Sequence, residues 1–271
     1  MLKLAYQKET RLENTLAKGS AGADVRRVQE WLCLNALRYP NAALATNADG
    51  QFGPATERAV RNVQRVLRVS QTGHVTPELF AVLSAPMSTA FGTKPTGNDI
   101  RKAVLQVARM HLRQRAAELQ TDDAQNLGPW VRAYCDEYEG SPFKWCVGFV
   151  QTILDQVASH YGRQFTNIMP HTLSCDIMAQ SGRENGRLIE NERLRHNPER
   201  IQPGDVFLIR NRSDQADDWF HAGLIASVAG EVVETIEGNT DTKGGSNGTA
   251  VFARVRNFQT TTLDVFSIDG L

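Results

Sequence analysis

The sequence predicts an α+β protein with two domains, a small helical domain followed by a larger domain of helices and antiparallel strands. Three observations lead to this prediction. The chain has 271 residues, which is enough for two compact domains. Apolar residues recur at helical spacing before Arg200, and strand-like runs rich in β-branched residues appear only after it. Helices first and strands afterwards are typical of an α+β domain with an antiparallel sheet.

The composition of the chain limits which kinds of ligand or macromolecule it is expected to bind. Lys and Arg number 30 and Asp and Glu also number 30, so the formal net charge is zero. A neutral chain argues against bulk binding to nucleic acid or to an anionic membrane. No apolar run approaches the length of a membrane span. The histidines lack zinc-like clustering and the glycine-rich segment 244–248 does not open a helix, so we expect neither a metal nor a cofactor.

The cysteines give a first indication of redox state. There are four of them, Cys33, Cys135, Cys146 and Cys175, and no pair has Cys-x-x-Cys spacing. Cys33 falls in a different predicted domain from the other three. Reduced thiols are therefore expected, and a Cys135–Cys175 disulfide is the alternative.

Residues 1–85, the predicted first domain, contain an internal repeat. The segment Val25–Leu32 recurs as Val60–Leu67, an offset of 35 residues (60 − 25), and each copy places apolar side chains on one helical face. Pro54 fits the first position of the second helix. A third helix is expected after Thr76. The sequence therefore predicts three helices in this domain.

The arrangement of this repeat is similar to a known family. The two helices with Val-Gln pairs, the turn Asp49–Thr56 and the Thr-Gly-x-Val-Thr-Pro start of the third helix resemble the three-helix peptidoglycan-binding domain attached to many cell-wall hydrolases. The match covers about residues 18–85. The resemblance implies a shallow groove that holds wall glycan or stem peptide. It also implies four candidate wall-binding residues, Gln29, Asp49, Phe52 and Gln64.

A linker and a second domain are predicted for the rest of the chain. Residues 86–98 are rich in Pro, Gly, Ser and Thr, which is typical of a linker, so the second domain spans 99–271. Asp99 is the candidate N-cap of its first helix. Further helices are predicted over 129–139, from Cys146 onward and near 172–180. Strands are predicted over 206–209, 221–228, 231–237, 250–255 and 265–268.

Cys146 lies where an apolar helical pattern begins. The positive end of a helix dipole favours the thiolate form of a cysteine. Without such help, a thiol with a pKa of about 8.5 is only a few per cent ionised at neutral pH. Cys146 is therefore a candidate nucleophile, and the alternative is a small apolar residue packed against the sheet.

His221 and Glu237 are candidate partners of that thiol. His221 begins one predicted strand and Glu237 ends the next, 16 residues later (237 − 221). Antiparallel neighbours place the start of one strand beside the end of the next, so the two side chains can be adjacent. The alternatives are a histidine bonded to a backbone carbonyl, a hydrated strand end, and an ordinary turn at Gly238-Asn239.

Four segments resemble the cysteine, histidine-dependent amidohydrolase/peptidase (CHAP) family over most of the second domain: Trp145-Cys146, Pro203–Val206, His221–Ile225 and Glu237–Thr240. The resemblance implies a papain-like fold with a Cys146 nucleophile and His221 as general base and acid. Glu237 would orient His221, with Asn239 as the rival orienter. The family order is kept, and an additional polar loop at 211–218 leaves open which bond is cut.

Together the two resemblances imply a monomeric peptidoglycan hydrolase, either an N-acetylmuramoyl-L-alanine amidase or an endopeptidase of stem peptide or crosslink. The alternatives are a non-catalytic wall-binding protein with a degenerate papain-like domain, and a cysteine acyltransferase. Residues 1–10 lack the apolar core and cleavage site of a secretory signal peptide. We therefore expect synthesis in the cytoplasm. Release would follow through a membrane pore, as for a phage lysin, or by a secretion system, as for an antibacterial effector with an immunity protein.

Overall fold

A computed structural model describes residues 4–121, 124–211 and 218–271. Over these residues the chain forms a helical N-terminal part and then an α+β part with a six-stranded antiparallel sheet. The predicted α+β fold class is therefore confirmed. Most of the polar loop expected at 211–218 lies outside the described residues.

The N-terminal part contains helices α1 (Tyr6–Thr10), α2 (Ala23–Ala36), α3 (Pro54–Val66) and α4 (Pro77–Phe91). The repeat copies form α2 and α3. The shared valines are buried in both copies, whereas Leu32 is buried and its counterpart Leu67 is half-buried. Pro54 occupies the first turn of α3, where its missing N–H costs nothing. Thr76 caps α4, because its hydroxyl accepts the Leu79 N–H at 3.3 Å. The three predicted helices are thus confirmed, and α1 was not predicted.

The linker predicted at 86–98 needs a correction. Helix α4 continues through Pro86 and ends at Phe91, with Met87 and Phe91 buried. The Phe91 ring stacks on Tyr6 at 4.6 Å between centroids and on Trp130 at 6.3 Å. Packing against both parts of the chain outweighs the helix-breaking tendency of proline, which costs about 3 kcal/mol. Only residues 92–98 connect α4 to the next helix.

The second part contains five helices within the described residues: α5 (Ile100–Arg113), α6 (Pro129–Tyr134), α7 (Cys146–His160), α8 (Cys175–Glu184) and α9 (Asn191–His196). Asp99 caps α5 as predicted, since its carboxylate accepts the Lys102 N–H at 3.1 Å. Helix α6 is shorter than predicted. It stops before Asp136 and Glu137, whose φ values of 52° and 74° lie in the left-handed region and cannot continue a helix.

The sheet has the strand order β1-β6-β2-β3-β4-β5. Its strands are β1 (Leu188–Ile189), β2 (Val206–Arg210), β3 (Trp219–Ala229), β4 (Val232–Thr240), β5 (Ala250–Asn257) and β6 (Leu263–Phe266). Every predicted strand is present, and β1 was not predicted. Side chains alternate between two faces. Ala222 and Ile236 join the core that contains α7, whereas Ile225 and Val233 join a separate apolar cluster on the other face.

An ion cluster joins the two parts. In α6, Arg132 Nη2 lies 2.7 Å from Glu9 Oε2 and 2.6 Å from Glu30 Oε2, and Nη1 lies 2.7 Å from Glu139 Oε2. Glu30 is completely buried. The N-terminal part is therefore attached to the second part by charged groups shielded from solvent as well as by aromatic packing.

Candidate active site

The thiol of Cys146 lies at the first position of α7, as the sequence predicted. At a helix N-terminus the backbone N–H groups have no partner within the helix, and their dipoles favour a negative charge. The residue is buried, with 2% exposure, among apolar side chains of the core. The surroundings of Cys146 are therefore those of a packed apolar residue. Whether Cys146 can act as a nucleophile depends on the polar groups that contact its thiol.

His221 and Glu237 come together on neighbouring strands. The His221 Nε2 lies 2.9 Å from Glu237 Oε2, and both side chains are completely buried. Nδ1 has no hydrogen-bond partner of standard geometry among the described residues. This second ring nitrogen is left available for the Cys146 thiol, whose interaction with the imidazole perturbs the pKa of both groups. The structure thus brings the three predicted residues into one chain of contacts.

The three groups are arranged to be ionised together. Burial lowers the pKa of His221, but Cys146 and Glu237 outweigh it and raise the pKa to about 9. Burial likewise raises the pKa of Glu237, and His221 with Arg256 outweighs it and lowers the pKa to about 2. Hydrogen bonding by Cys175, followed by that of His221, holds the pKa of Cys146 well below its usual range against the effect of burial. All three shifts favour the ionised forms of Cys146, His221 and Glu237.

Cys175 also belongs to this site, although the sequence did not indicate a contact between it and Cys146. It begins α8, and its thiol interacts with that of Cys146 at the start of α7. The hydrogen bond with Cys146 is the largest cause that raises the pKa of Cys175 well above its usual value, and burial adds to it. The two opposite shifts favour a thiol at Cys175 beside a thiolate at Cys146. All four cysteines are free, as expected. The one available sign in the sequence was Ser174, the N-cap that places Cys175 at a helix start.

Asn239 does not take the role of orienter. In the amide orientation that satisfies both neighbours, its nitrogen donates to Gly248 O at 2.7 Å and its oxygen accepts the Trp145 N–H at 3.1 Å. His221 is not a partner of Asn239 in the part of the chain that the structure describes. Asn239 instead fixes the backbone of the residue that precedes Cys146. Its φ of 56° is left-handed, a conformation that asparagine tolerates better than most residues.

Arg256 and Thr235 were missed by the sequence analysis. Arg256 Nε donates to Glu237 Oε1 at 2.6 Å and Nη2 donates to Oε2 at 2.5 Å. The Thr235 hydroxyl donates to Oε1. The register pairs Arg256 with Val233 and Glu237 with Phe252, so sequence spacing carried no sign that the two charges meet.

Two glycines allow the close approaches that build the site. A Cβ atom on Gly223 would lie 2.6 Å from the Phe207 ring and 3.0 Å from Glu237 Cγ. A Cβ atom on Gly238 would lie 2.6 Å from Phe149 Cβ in α7. Side chains at these positions would push β2 from Glu237 and α7 from β4. Gly238 therefore sets the distance between α7 and β4, and Gly223 leaves room for Phe207 and Glu237 beside β3.

Two predicted wall-binding residues, Gln29 and Gln64, act inside the fold. The Gln29 amide oxygen accepts the Gly50 N–H at 2.8 Å, and the Gln64 oxygen accepts the Gly73 N–H at 2.9 Å. Both side chains are almost fully buried. In each copy of the repeat, the glutamine side chain therefore stabilises a turn that contains a glycine. We call these two hydrogen-bonded contacts the glutamine latches. The expectation that these two residues contact the wall is corrected.

The other two candidates differ in exposure. Phe52 is 2% exposed and belongs to the core, so it too supports the domain from inside. Asp49 is exposed, and its carboxylate accepts hydrogen bonds from Gln29 Nε2 at 2.8 Å and from the Gln51 N–H at 2.9 Å. Asp49 remains the one candidate of the four that presents a polar group to solvent.

Metal and membrane chemistry find no support in the described residues. Within them, no group of three or more His, Cys, Asp or Glu side chains is arranged to hold a metal ion. Over the same ranges, no helix has the length and hydropathy that crossing a bilayer requires.

Comparison with known proteins bears on the N-terminal part. No curated protein matches the chain. Residues 21–83 match the family model of the peptidoglycan binding domain. This range contains α2, α3 and the first seven residues of α4, Pro77–Leu83, together with the two glutamine latches. The match over residues 21–83 supports a peptidoglycan-binding domain in the N-terminal part of the chain.

Proposed function

We propose that this protein is a cysteine hydrolase of bacterial peptidoglycan, cutting an amide bond as an N-acetylmuramoyl-L-alanine amidase or as an endopeptidase of stem peptide or crosslink. One observation carries the proposal: a buried Cys146–His221–Glu237 chain begins at a helix N-terminus, in a protein whose first domain binds peptidoglycan. Nucleophile, base and orienting group in contact are the arrangement that acyl transfer requires.

The proposed reaction has two halves. The Cys146 thiolate attacks the amide carbon, forming a C–S bond, and the C–N bond then breaks as His221 gives its proton to the leaving amine. The neutral His221 next takes a proton from water, whose oxygen attacks the thioester and releases Cys146. Glu237 keeps Nε2 engaged throughout, so that Nδ1 serves the reaction.

The start of α7 supplies an oxyanion site in this scheme. Negative charge develops on the carbonyl oxygen during the attack, and the Cys146 N–H at the helix start can donate to it. The Asn239–Trp145 hydrogen bond holds the adjoining peptide group in place. Peptidoglycan binding by the first domain raises the local concentration of scissile bonds around the second.

A digest of purified sacculi tests the proposal. The wild type should release soluble fragments, and Cys146→Ala should release none while still binding sacculi, because the nucleophile is gone and the first domain is unchanged. Cys33→Ala is the matched control, since it removes a thiol from the N-terminal part, and it should cleave as the wild type does. Mass spectrometry of the fragments identifies the bond.

Each result of the digest has a defined meaning. Free stem peptides with intact glycan indicate an amidase, and split crosslinks or shortened stems indicate an endopeptidase. Cleavage by Cys146→Ala would refute the mechanism. Intact sacculi of several wall types with the wild type would favour a binding protein with a degenerate catalytic domain. Transfer of the acyl group to an added amine in place of water would favour an acyltransferase.

Two settings fit a wall hydrolase of this kind. A phage lysin would reach the wall through a membrane pore, and an antibacterial effector would be delivered by a secretion system and would need an immunity protein in the producing cell. The neighbouring genes distinguish them: a pore-forming protein supports the first setting, and a small protein that binds and inhibits this chain supports the second.

A further inference from the structure

We propose that Arg256 is a positioning residue of the hydrolase. It clamps the carboxylate that holds His221, and its positive charge sets the pH range over which Cys146 and His221 form an ion pair. This inference rests on the function proposed above and adds a fourth member to the catalytic chain.

The contact between Arg256 and Glu237 is a bidentate hydrogen-bonded ion pair. Nε donates to Oε1 at 2.6 Å and Nη2 donates to Oε2 at 2.5 Å, so both carboxylate oxygens are engaged by one planar group. Oε2 also lies 2.9 Å from His221 Nε2. The oxygen that orients the imidazole is therefore held by the guanidinium, and lysine, with a single ammonium group, cannot reproduce this geometry.

The surroundings keep the clamp rigid and its charge weakly screened. The Arg256 side chain is 12% exposed, and its guanidinium carbon lies 5.4 Å from the centre of the Phe207 ring. The same ring lies 6.0 Å from His221. Charges that are shielded from water interact more strongly than charges on the surface. A change in Arg256 should therefore be felt at His221 and Cys146.

The charged groups that face this chain come from several elements. Glu237 meets His221 and Arg256, and His221 meets Cys146 and Glu237. Around the two thiols stand Cys135, Asp176 and Lys144. Removing the Arg256 cation leaves all of these in place. Because a cation favours the deprotonated form of each neighbour, its loss should make Glu237, His221 and Cys146 titrate at higher pH.

The experiment compares the full-length wild type with Arg256→Gln, Arg256→Lys and a control, Arg254→Gln. Arg254 lies on the same strand, and its Nη1 donates to Thr242 O at 2.6 Å. Two quantities are measured against pH. One is the rate of Cys146 alkylation by iodoacetamide, followed by peptide mapping, and the other is the rate of amine or carboxyl release from sacculi.

The two variants should distinguish the effect of the Arg256 charge from the effect of its two-bond geometry. In Arg256→Gln both midpoints of the pH profiles should move up by about one unit. In Arg256→Lys the midpoints should stay close to those of the wild type, because the charge remains. Its maximal hydrolysis rate should nevertheless fall roughly tenfold, because the carboxylate is no longer clamped. Arg254→Gln should match the wild type in both measurements.

Unchanged or lowered midpoints in folded Arg256→Gln would overturn the proposal, as would a wild-type hydrolysis rate in Arg256→Lys. If Arg256→Gln does not fold, the lysine variant decides by its rate. Failure of the proposed function has a different signature. In that case the wild type itself leaves sacculi intact, whereas the alkylation profiles, which need no cell wall, still report on Arg256.

Discussion

Four cysteines in one chain have four different environments, and only one of them favours ionisation. Burial raises the pKa of Cys33 and of Cys135. Contact with the Cys146 thiolate raises that of Cys175. Cys146 alone has a lowered pKa, because a thiol donor and an imidazolium stabilise its negative charge. The lowered pKa of Cys146 therefore comes mainly from its neighbours Cys175 and His221.

This difference predicts selective alkylation. At pH 6, iodoacetamide should modify Cys146 and leave the other three thiols largely unmodified, because alkylation requires the thiolate. The preference should persist through neutral pH, because the pKa values of Cys33, Cys135 and Cys175 are all raised above the usual value of a thiol. His221→Gln should slow the reaction at pH 6 at least about tenfold, since an ordinary thiol is scarcely ionised there. Equal labelling of all four cysteines, measured by peptide mapping, would contradict the proposed nucleophile.

Sequence reasoning found residues whose placement follows from local patterns. Cys146 at a helix start, and His221 on one strand beside Glu237 on the next, follow from periodicity and antiparallel pairing, although β4 continues beyond Glu237 to Thr240. Arg256 and Cys175 escaped it, because their contacts depend on side-chain reach across strands and between helices far apart in sequence. The roles of Asn239, Gln29 and Gln64 also became clear only from their hydrogen bonds in the structure.

At the scale of elements, the site depends on how closely α7 lies against the sheet. Gly238 faces Phe149 and Trp145, and Gly148 faces the Tyr134 carbonyl, where an added Cβ would come within 2.3 Å of the oxygen. Both contacts bring atoms at or next to the backbone of two elements close together. Helix α7 therefore cannot shift without loss of packing. Cys146 is positioned by these contacts together with the Asn239 hydrogen bond.

Gly238→Ala should displace the helix that carries Cys146. The new methyl group would meet Phe149 Cβ at 2.6 Å and Trp145 Cζ3 at 3.0 Å. Such overpacking costs roughly 1–3 kcal/mol. We expect a lower melting temperature and slower alkylation of Cys146 at pH 6. Gly53→Ala, where an added Cβ meets no atom within 4 Å, should leave the alkylation rate unchanged. A wild-type alkylation rate in Gly238→Ala would show that α7 tolerates the shift.

Element boundaries show where local sequence signals succeed. Caps at Thr76 and Asp99 and the proline at position 54 mark helix starts correctly, because each acts within one turn. The end of α4 and the end of α6 were misplaced. The first depends on aromatic packing with the second part of the chain, and the second depends on a left-handed pair of residues that no composition rule identifies.

At the scale of the whole molecule, the Arg132 cluster determines how the two parts are joined. One guanidinium serves Glu9, Glu30 and Glu139, and Arg26 adds a second cation at 2.7 Å from Glu139. Carboxylates so close together and largely buried need their cations. The N-terminal part is therefore attached to the second part by these ion pairs as well as by the connecting segment.

Arg132→Gln should weaken this junction. It leaves three carboxylates without their main cation, and breaking a buried ion pair costs about 3–5 kcal/mol. We expect a lower midpoint of denaturant unfolding and separate calorimetric transitions for the two parts. The exposed Arg58 on α3 supplies the matched control, because Arg58→Gln should change stability by less than about 0.5 kcal/mol. Equal stability losses in the two variants would mean that the cluster contributes nothing beyond surface charge.

The sequence by itself determined the fold class, the repeat of the first domain and the Cys146, His221 and Glu237 candidates, because periodicity, capping and strand pairing are written in local order. The tertiary structure alone decided which groups complete the site: Cys175 against the thiol, Arg256 on the carboxylate and Asn239 on the helix start. The physical reason is that long side chains and close backbone contacts act between elements, at distances that sequence separation does not encode.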